Sequence, residues 1–85
     1  MEQTHTTIAN DKTAHIITLH DDNTVEVVVY DDQANCGDWS HLMRSTSVTD
    51  DNAQSIYQRA RVAADPCAYV LACRANHKRG DHKSA

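Results

Sequence analysis

The clearest structural signal in this chain is the segment Ala14-His-Ile-Ile-Thr-Leu-His-Asp-Asp-Asn-Thr-Val-Glu-Val-Val-Val-Tyr30. It holds two runs rich in β-branched residues, 14–20 and 24–30, separated by Asp21-Asp22-Asn23. β-Branched residues favour strands, and Asp and Asn favour turns. The stretch therefore predicts a β-hairpin.

Alternation along these strands predicts two different faces. One face is fully apolar and consists of Ile17, Leu19, Val25, Val27 and Val29. The reverse face carries Ile16, Val28 and Tyr30, interrupted by Thr18 and Glu26. A sheet that meets solvent on one side normally shows polar residues there. This half-apolar reverse face is therefore predicted to meet a second copy of the chain or a target protein.

The second half of the chain predicts a helix between two further strands. Residues 41–48 form a weakly patterned third strand, and Thr49 is the predicted N-cap of a helix whose first turn is Asp50, Asp51 and Asn52. The predicted buried stripe of this helix is Ala53, Ile56, Tyr57, Ala60, Ala63 and Ala64. Pro66 ends the helix in this interpretation. Residues 67–74, Cys-Ala-Tyr-Val-Leu-Ala-Cys-Arg, are apolar on both faces and are read as a central strand.

These elements predict an α+β fold in the order β-β-β-α-β, with an antiparallel sheet of about four strands and one helix packed on one face. Eighty-five residues correspond to a single domain, expected over residues 13–74. Residues 1–12 are predicted to be a flexible N-terminus. Residues 75–85 are predicted to be a flexible, basic C-terminal tail.

Charge is divided unevenly along the chain. Residues 1–57 hold ten acidic and two basic side chains, whereas residues 58–85 hold two acidic and six basic ones. Opposite charge at two ends of a small protein steers the approach of charged partners. The predicted acidic contact residues for a partner are Asp21, Asp22, Asp31, Asp32, Asp50 and Asp51. Each doublet is equally explained by turn formation or helix capping.

The predicted topology assigns these doublets to two ends of the sheet. Asp21-Asp22 and Asp50-Asp51 fall at one end, and Asp31-Asp32 falls at the other end with Asp65. Clustered carboxylates on a rigid body can occupy a cleft that evolved for the phosphates of a nucleic acid.

The basic side chains offer a second, different kind of contact. The candidates for nucleic-acid contact are Arg59, Arg61, Arg74, Lys78 and Arg79. The alternative is that they only keep the C-terminal end soluble, since no aromatic platform or groove-reading motif accompanies them.

Cysteine and histidine spacing predicts no metal site, no cofactor and no catalytic residue. Cys36, Cys67 and Cys73 are an odd number of cysteines, and their spacing does not match the tight ligand pairs of structural zinc sites. Cys36 lies on a loop, and no oxyanion donor is evident for a nucleophile paired with His41. The chain is therefore expected not to be an enzyme. Free thiols, and the lack of an apolar run of membrane-spanning length or of a secretory signal, predict a cytoplasmic protein.

Two groups of small proteins resemble this chain. The first is the phage-encoded anti-CRISPR and anti-defence inhibitors, which it resembles in size, in its acidic front half, and in the segment 49–71, Thr-Asp-Asp-Asn-Ala-Gln-Ser-Ile-Tyr-Gln-Arg-Ala-Arg-Val-Ala-Ala-Asp-Pro-Cys-Ala-Tyr-Val-Leu. The second is the HicB-like antitoxins, whose partial RNase-H-like domain also runs β-β-β-α-β, and whose Gly-Cys-x-x-x-Gly-Asp segment resembles Cys36-Gly37-Asp38. Neither resemblance assigns a functional residue.

The resulting expectation is a small non-enzymatic inhibitor of the host cytoplasm. It would bind and block a nucleic-acid-handling protein complex of a bacterial host through its acidic surface, as anti-CRISPR proteins do. The alternative is a HicB-like antitoxin or small regulator that binds nucleic acid through its basic C-terminal end. A homodimer is the further partner considered, and no membrane contact is expected.

Overall fold

The protein contains four strands followed by two helices. A computed structural model describes the backbone of residues 2–9, 12–32, 37, 39 and 41–84, with the side chains of 9 and 77–84 outside the description. The elements are β1 (Gln3–Ala9), β2 (Thr13–Leu19), β3 (Thr24–Asp31), β4 (His41–Thr49), α1 (Ala53–Arg61) and α2 (Pro66–Ser84). The strands form an antiparallel sheet in the order β1-β2-β3-β4. The predicted α+β class with a four-stranded antiparallel sheet is confirmed.

The predicted hairpin is β2 and β3. Its register pairs Ile17 with Val27 and Leu19 with Val25, so the predicted apolar side chains share one face. Ile17, Val25 and Val27 are completely buried. Both helices pack on this face, which we call the helix face. The other side, which no helix of the described chain covers, is called the open face.

The prediction that residues 1–12 are flexible was wrong over Gln3–Ala9, which form β1. This strand pairs with β2 along its whole length, from Gln3 opposite Leu19 to Ala9 opposite Thr13. Its sequence is polar and has no strong apolar alternation, but three of its seven residues are threonines, which suit a strand. The backbone of β2 supplies the hydrogen-bond partners, so β1 forms without a large buried side chain of its own.

Helix α1 begins at Ala53, three residues after the predicted start, and is capped differently. Thr49 is the last residue of β4, and Asn52 takes the N-cap position, without a side-chain capping bond. Ala53, Tyr57 and Ala60 are buried as predicted, whereas Val62 lies off the stripe and is 85% exposed. The helix ends at Arg61, four residues before Asp65.

The prediction of a strand at 67–74 was wrong, because Pro66 starts a helix instead of ending one. Asp65 is the N-cap of α2: its Oδ1 accepts from the Ala68 N–H at 3.1 Å, and its carbonyl accepts from the Tyr69 N–H at 3.0 Å. Proline is favoured at the first helical position since its missing N–H has no partner there. Helical backbone then continues through Ser84, into the segment from residue 75 for which a flexible tail is predicted.

The core lies between the helix face and the two helices. Pro66, Cys67 and Val70 of α2 are buried, with Tyr69 and Cys73 half-buried, at helical spacing. The observed order is therefore β-β-β-β-α-α and not the predicted β-β-β-α-β. The additional strand is β1, and the last predicted strand is a helix. Neither helix in the described part of the chain is long and apolar enough to cross a membrane.

Candidate functional site

Two separate loops meet at one end of the sheet. The backbone N–H of Asp50, at the β4–α1 connection, donates to the carbonyl of Asn23 in the β2–β3 turn at 3.0 Å. The hydroxyls of Thr24 and Thr49 join the same two segments at 2.8 Å. These contacts place Asp21 and Asp22 beside Asp50 and Asp51, as the sequence predicts.

Each loop is also shaped by its own aspartate. Asp22 Oδ1 accepts from the Thr24 N–H at 3.2 Å, and Asp50 Oδ1 accepts from the Asn52 N–H at 2.7 Å. Asn23 adopts the left-handed region with φ of 66°, which asparagine tolerates better than most residues. The aspartates therefore hold their turns, and the fold of the sheet then brings the two turns together.

Two glutamates that the sequence analysis did not single out extend this surface. Glu2 precedes β1 and Glu26 lies on β3, and both carboxylates contact the His20 ring at the same end of the sheet. We call Glu2, Asp21, Asp22, Glu26, Asp50 and Asp51 together the acidic end. It holds half of the twelve acidic side chains of the chain. Finding Glu2 from the sequence required the assignment of β1, because that strand fixes where Glu2 lies.

A groove of about 340 Å³ runs between the two loops of the acidic end. It is lined by Asp22, Asn23, Thr49, Asp50, Asp51 and Asn52. The lining offers carboxylate and amide groups to solvent. Its chemistry suits cationic side chains better than apolar or anionic ligands.

His20 is held between two carboxylates. Its Nδ1 lies 2.7 Å from Oε2 of Glu2, and its Nε2 lies 3.0 Å from Oε1 of Glu26. A carboxylate only accepts, so both nitrogens must carry a proton to make both bonds. The hydrogen bonds to Glu2 and then to Glu26 raise the pKa of His20. Protonated His20 therefore connects Glu2, which precedes β1, with Glu26 on β3.

We expect the His20–Glu2 link to weaken as the pH rises. The folded-state pKa of His20 is raised, so the stability that this residue contributes is fully present below its unfolded value of about 6.5 and is lost as the pH rises through the folded value. An NMR titration of the imidazole should give a pKa above that of the Glu2→Gln variant. Thr4→Ser, at an exposed β1 position, is the control and should leave the titration unchanged. Equal titration of wild type and Glu2→Gln would contradict the bridge.

Asp31 and Asp32 lie at the opposite end of the sheet, as predicted, and do not join the acidic end. Asp32 is only 3% exposed, and its Oδ2 accepts from the Gly37 N–H at 2.8 Å. Its backbone N–H donates to the Lys12 carbonyl. Asp32 is therefore buried within its loop region rather than part of an exposed acidic surface, contrary to the prediction that it contacts a partner.

Ile16, Val28 and Tyr30 all lie on the open face. Ile16 pairs with Val28 across β2 and β3, and Tyr30 pairs with Ala14 in the adjacent row. All three of the predicted residues are half-buried. They lie toward the end of the sheet that is opposite the acidic end.

The predicted basic residues lie on the two helices, Arg59 and Arg61 on α1 and the others on α2. Arg59, Arg61 and Arg74 are exposed. Arg61 donates to Oε1 of Gln58 at 2.9 Å, and its guanidinium lies 5.7 Å from the centre of the Tyr57 ring. Lys78 and Arg79 are on the backbone of α2, and their side chains lie outside the described residues.

A further group of titratable side chains lies at the start of α2, where Arg44 and Asp65 are partly exposed and His15 is buried. Arg44 donates to both carboxylate oxygens of Asp65, at 3.1 and 3.3 Å. The hydrogen bond from the Ala68 N–H is the largest cause that lowers the pKa of Asp65, and Arg44 lowers it as well. Desolvation acts in the opposite direction and does not cancel them. Burial lowers the pKa of His15, whose Nδ1 has no hydrogen-bond partner among the described residues. The negative charge of Asp65 raises the pKa of His15, but this effect is smaller than the lowering caused by burial.

The described thiols are those of Cys67, which is buried, and Cys73, which is half-buried, and both are free. Burial raises the pKa of Cys67, so its thiol stays protonated at neutral pH and is a poor nucleophile. Cys36 lies outside the described residues. Among the side chains that are described, no three His, Cys, Asp or Glu groups are arranged to hold a metal ion.

Comparisons with protein-family models, with curated proteins and with solved structures found no match to this chain.

Proposed function

We propose that this protein is a small non-enzymatic inhibitor that binds, through its acidic end, a nucleic-acid-handling protein complex in the cytoplasm of a bacterial host. The proposal includes, among such complexes, those that anti-CRISPR inhibitors block. Such a target binds phosphates with lysine and arginine side chains, and the acidic end presents carboxylates to the same groups.

The observation that carries the proposal is the convergence of two loops, strand β3 and the residue before β1 on one carboxylate surface. Glu2, Asp21, Asp22 and Asp51 are exposed, and Asp50 and Glu26 are half-buried. The Asp50–Asn23 backbone bond holds the loops in a fixed relation. A surface that is already rigid loses little conformational entropy when it binds. The protonated Cys67 thiol and the buried, neutral His15 also fit a protein that acts by contact.

Replacing Asp21, Asp22, Asp50 and Asp51 by asparagine is the direct test. Asparagine keeps a side-chain oxygen that can accept the Thr24 and Asn52 N–H bonds, so the loops should retain their shape while the charge rises by four. We expect the affinity for the target to fall about tenfold or more, because each exposed ion pair contributes about 0.2–1 kcal/mol.

The assay measures DNA binding by guide-loaded CRISPR effector complexes, followed by fluorescence anisotropy, with and without the protein. A control variant with the same net charge carries four exposed helix positions changed to lysine: Ser55, Ala68, Ala72 and Ala75. The proposal requires that the wild type and the lysine control block at least one complex and that the asparagine variant does not. Equal inhibition by the asparagine variant would exclude the acidic end as the contact.

The same anisotropy assay, with labelled duplex and single-stranded DNA or RNA and no effector, tests the antitoxin or regulator alternative. Direct binding that is lost on truncation after residue 74 would favour that alternative over the inhibitor. The β-β-β-α-β order on which the HicB-like resemblance depended is not present, since α2 takes the place of the last strand.

A further inference from the structure

Strand β1 is the part of the sheet that is anchored least. It lies at an edge, so its backbone pairs with β2 on one side and is open on the other. The two helices pack over β2, β3 and β4, and β1 has its extensive contacts with β2. None of the side chains of residues 3–8 is buried. Segments with few buried apolar contacts and solvent-exposed backbone hydrogen bonds open more readily than the core of a domain.

Side-chain hydrogen bonds connect this edge to the neighbouring strand and its turn at two described positions. The hydroxyls of Thr4 and Thr18 lie 3.5 Å apart, which is long for a hydrogen bond. The carboxylate of Glu2 lies 2.7 Å from Nδ1 of His20, a distance typical of a hydrogen bond between charged groups. The contact between Glu2 and His20 is therefore the stronger of the two.

The His20 ring serves two carboxylates at the same time. Its Nε2 lies 3.0 Å from the carboxylate of Glu26 on β3, while its Nδ1 contacts Glu2. An ionised carboxylate accepts hydrogen bonds and does not donate them, and a neutral imidazole carries a single N–H. Loss of one proton therefore leaves a nitrogen lone pair facing a carboxylate, and one of the two contacts has to break.

We propose that residues 2–9 form a pH-sensitive strap, which protonated His20 fastens to the sheet and which opens when the imidazole loses a proton. The inference concerns the fold, and it does not depend on the proposed function. For the acidic end it means that Glu2 belongs to this surface only while His20 is protonated.

The positions of the two carboxylates decide which contact breaks. Glu26 lies on β3, which is paired on one side with β2 and on the other with β4. Glu2 precedes an edge strand, and its side chain is 58% exposed, compared with 43% for Glu26. The more exposed carboxylate on the less anchored segment exchanges His20 for water with less rearrangement. Glu2 is therefore the partner that leaves.

The charged groups around the ring are carboxylates. The hydrogen bond to Glu2, and then the one to Glu26, raise the pKa of His20, while desolvation lowers it by less. Asp21 and Asp22 follow His20 in the turn. A groove of about 290 Å³ beside the ring is lined by Gln3, Leu19, His20, Asp21, Asn23 and Gln54, so α1 contributes a neutral side chain here.

The sign of the pH dependence follows from the raised pKa of His20. The strap is fastened below the unfolded value of about 6.5 and is released as the pH rises through the higher folded value. His20 and Glu2 are both partly exposed, so the contact has the strength of an exposed ion pair. We expect the opening equilibrium of the strap to rise about two- to fivefold across the titration.

Amide exchange with solvent, measured by NMR on the full chain from about pH 5.5 to 8.5, tests the strap directly. The rates are corrected for the intrinsic dependence of amide exchange on pH. We expect the protection of the β1 amides that bond to β2 to fall about two- to fivefold. The midpoint should coincide with the imidazole titration of His20 in the same samples. The β3 amides that bond to β4 should keep their protection, because β1 does not pair with either strand.

Glu26→Gln is the deciding variant. The glutamine amide can donate to Nε2 while the Nδ1–H donates to Glu2, so a neutral imidazole can make both contacts. We therefore expect the strap of this variant to stay fastened across the whole pH range. Asp51→Asn is the matched control, because it removes the same charge elsewhere in the acidic end, and it should open as the wild type does. His5 also lies on the strap and is present in every variant, so an effect of His5 would survive in Glu26→Gln.

Glu2→Ala gives the opposite limit. Without this carboxylate the strap has no contact with His20 at any pH. Its β1 amides should show, over the whole range, the low protection that the wild type reaches at high pH. The expected results for wild type, Glu26→Gln and Glu2→Ala thus differ in both the level and the pH dependence of protection.

Three results would overturn the proposal. The first is protection of the wild-type β1 amides that stays constant while His20 titrates. The second is an equal loss of protection in Glu26→Gln and the wild type, which would assign the effect to another group. The third is an equal loss in β1 and β3, which would make the change one of the whole sheet.

Discussion

Replacing Ile17 by alanine is expected to destabilise the protein by about 2–5 kcal/mol. Ile17 is fully buried on the helix face, between its cross-strand neighbours His5 and Val27. Removing three methyl or methylene groups leaves a cavity under the helices, because close-packed neighbours relax only partly. A chain of 85 residues has a total stability of roughly 4–13 kcal/mol, so this one change removes a large share of it.

Ile16→Ala is the matched control for Ile17→Ala. It deletes the same atoms from the adjacent residue, but Ile16 is half-buried on the open face and has no helix above it. We expect a loss of about 1 kcal/mol for the isolated chain. Both variants should be compared by urea denaturation. Equal losses would mean that the assignment of the two sheet faces is wrong.

The second large effect is expected at Asp65, where alanine should cost about 2 kcal/mol. The carboxylate caps α2 through the Ala68 N–H and receives both hydrogen bonds from Arg44. Loss of an aspartate N-cap costs about 0.5–2 kcal/mol, and the partly exposed Arg44 pair adds at most about 1 kcal/mol. The prediction tests the helix at its first turn, since a strand at 67–74 would gain nothing from a cap.

Asp65→Asn separates the two contributions at this position. Asparagine is as good an N-cap as aspartate but carries no charge for Arg44. We expect it to cost less than about 1 kcal/mol. Circular dichroism should show a larger loss of helix stability for Asp65→Ala than for Asp65→Asn in urea. Equal losses in the two variants would contradict the capping role.

The segments that the sequence predicted correctly are those in which local preference and burial agree. The β2–β3 hairpin combines β-branched strands with an Asp-Asp-Asn turn, and its helix-face residues alternate without interruption. The buried alanines of α1 follow from a 3.6-residue period in the same way. In these segments the local residue preference and the burial pattern indicate the same structure.

Residues 67–74 had two interpretations, and the pattern alone did not separate them. A short apolar run fits either a central strand or a half-buried helix. The Asp65-Pro66 pair fits the end of a helix, but the same pair is also a favourable N-cap and first helical position. The continuation of helical backbone to Ser84 shows which interpretation holds. Because 67–74 are helical, no C-terminal strand enters the sheet. The fourth strand is β1 instead, at an edge of the sheet.

The hairpin, the apolar core face and the local turns that hold the aspartates can be predicted from the chain alone, because they depend on neighbouring residues and on side-chain alternation. Pairing between distant segments makes Gln3–Ala9 a strand, brings Glu2 and Glu26 to the aspartates, and places Ile8 and Leu42 in line with Ala14 and Tyr30 on the open face. The physical reason is that these placements depend on strand register, which backbone hydrogen bonds between distant segments establish and no local pattern encodes.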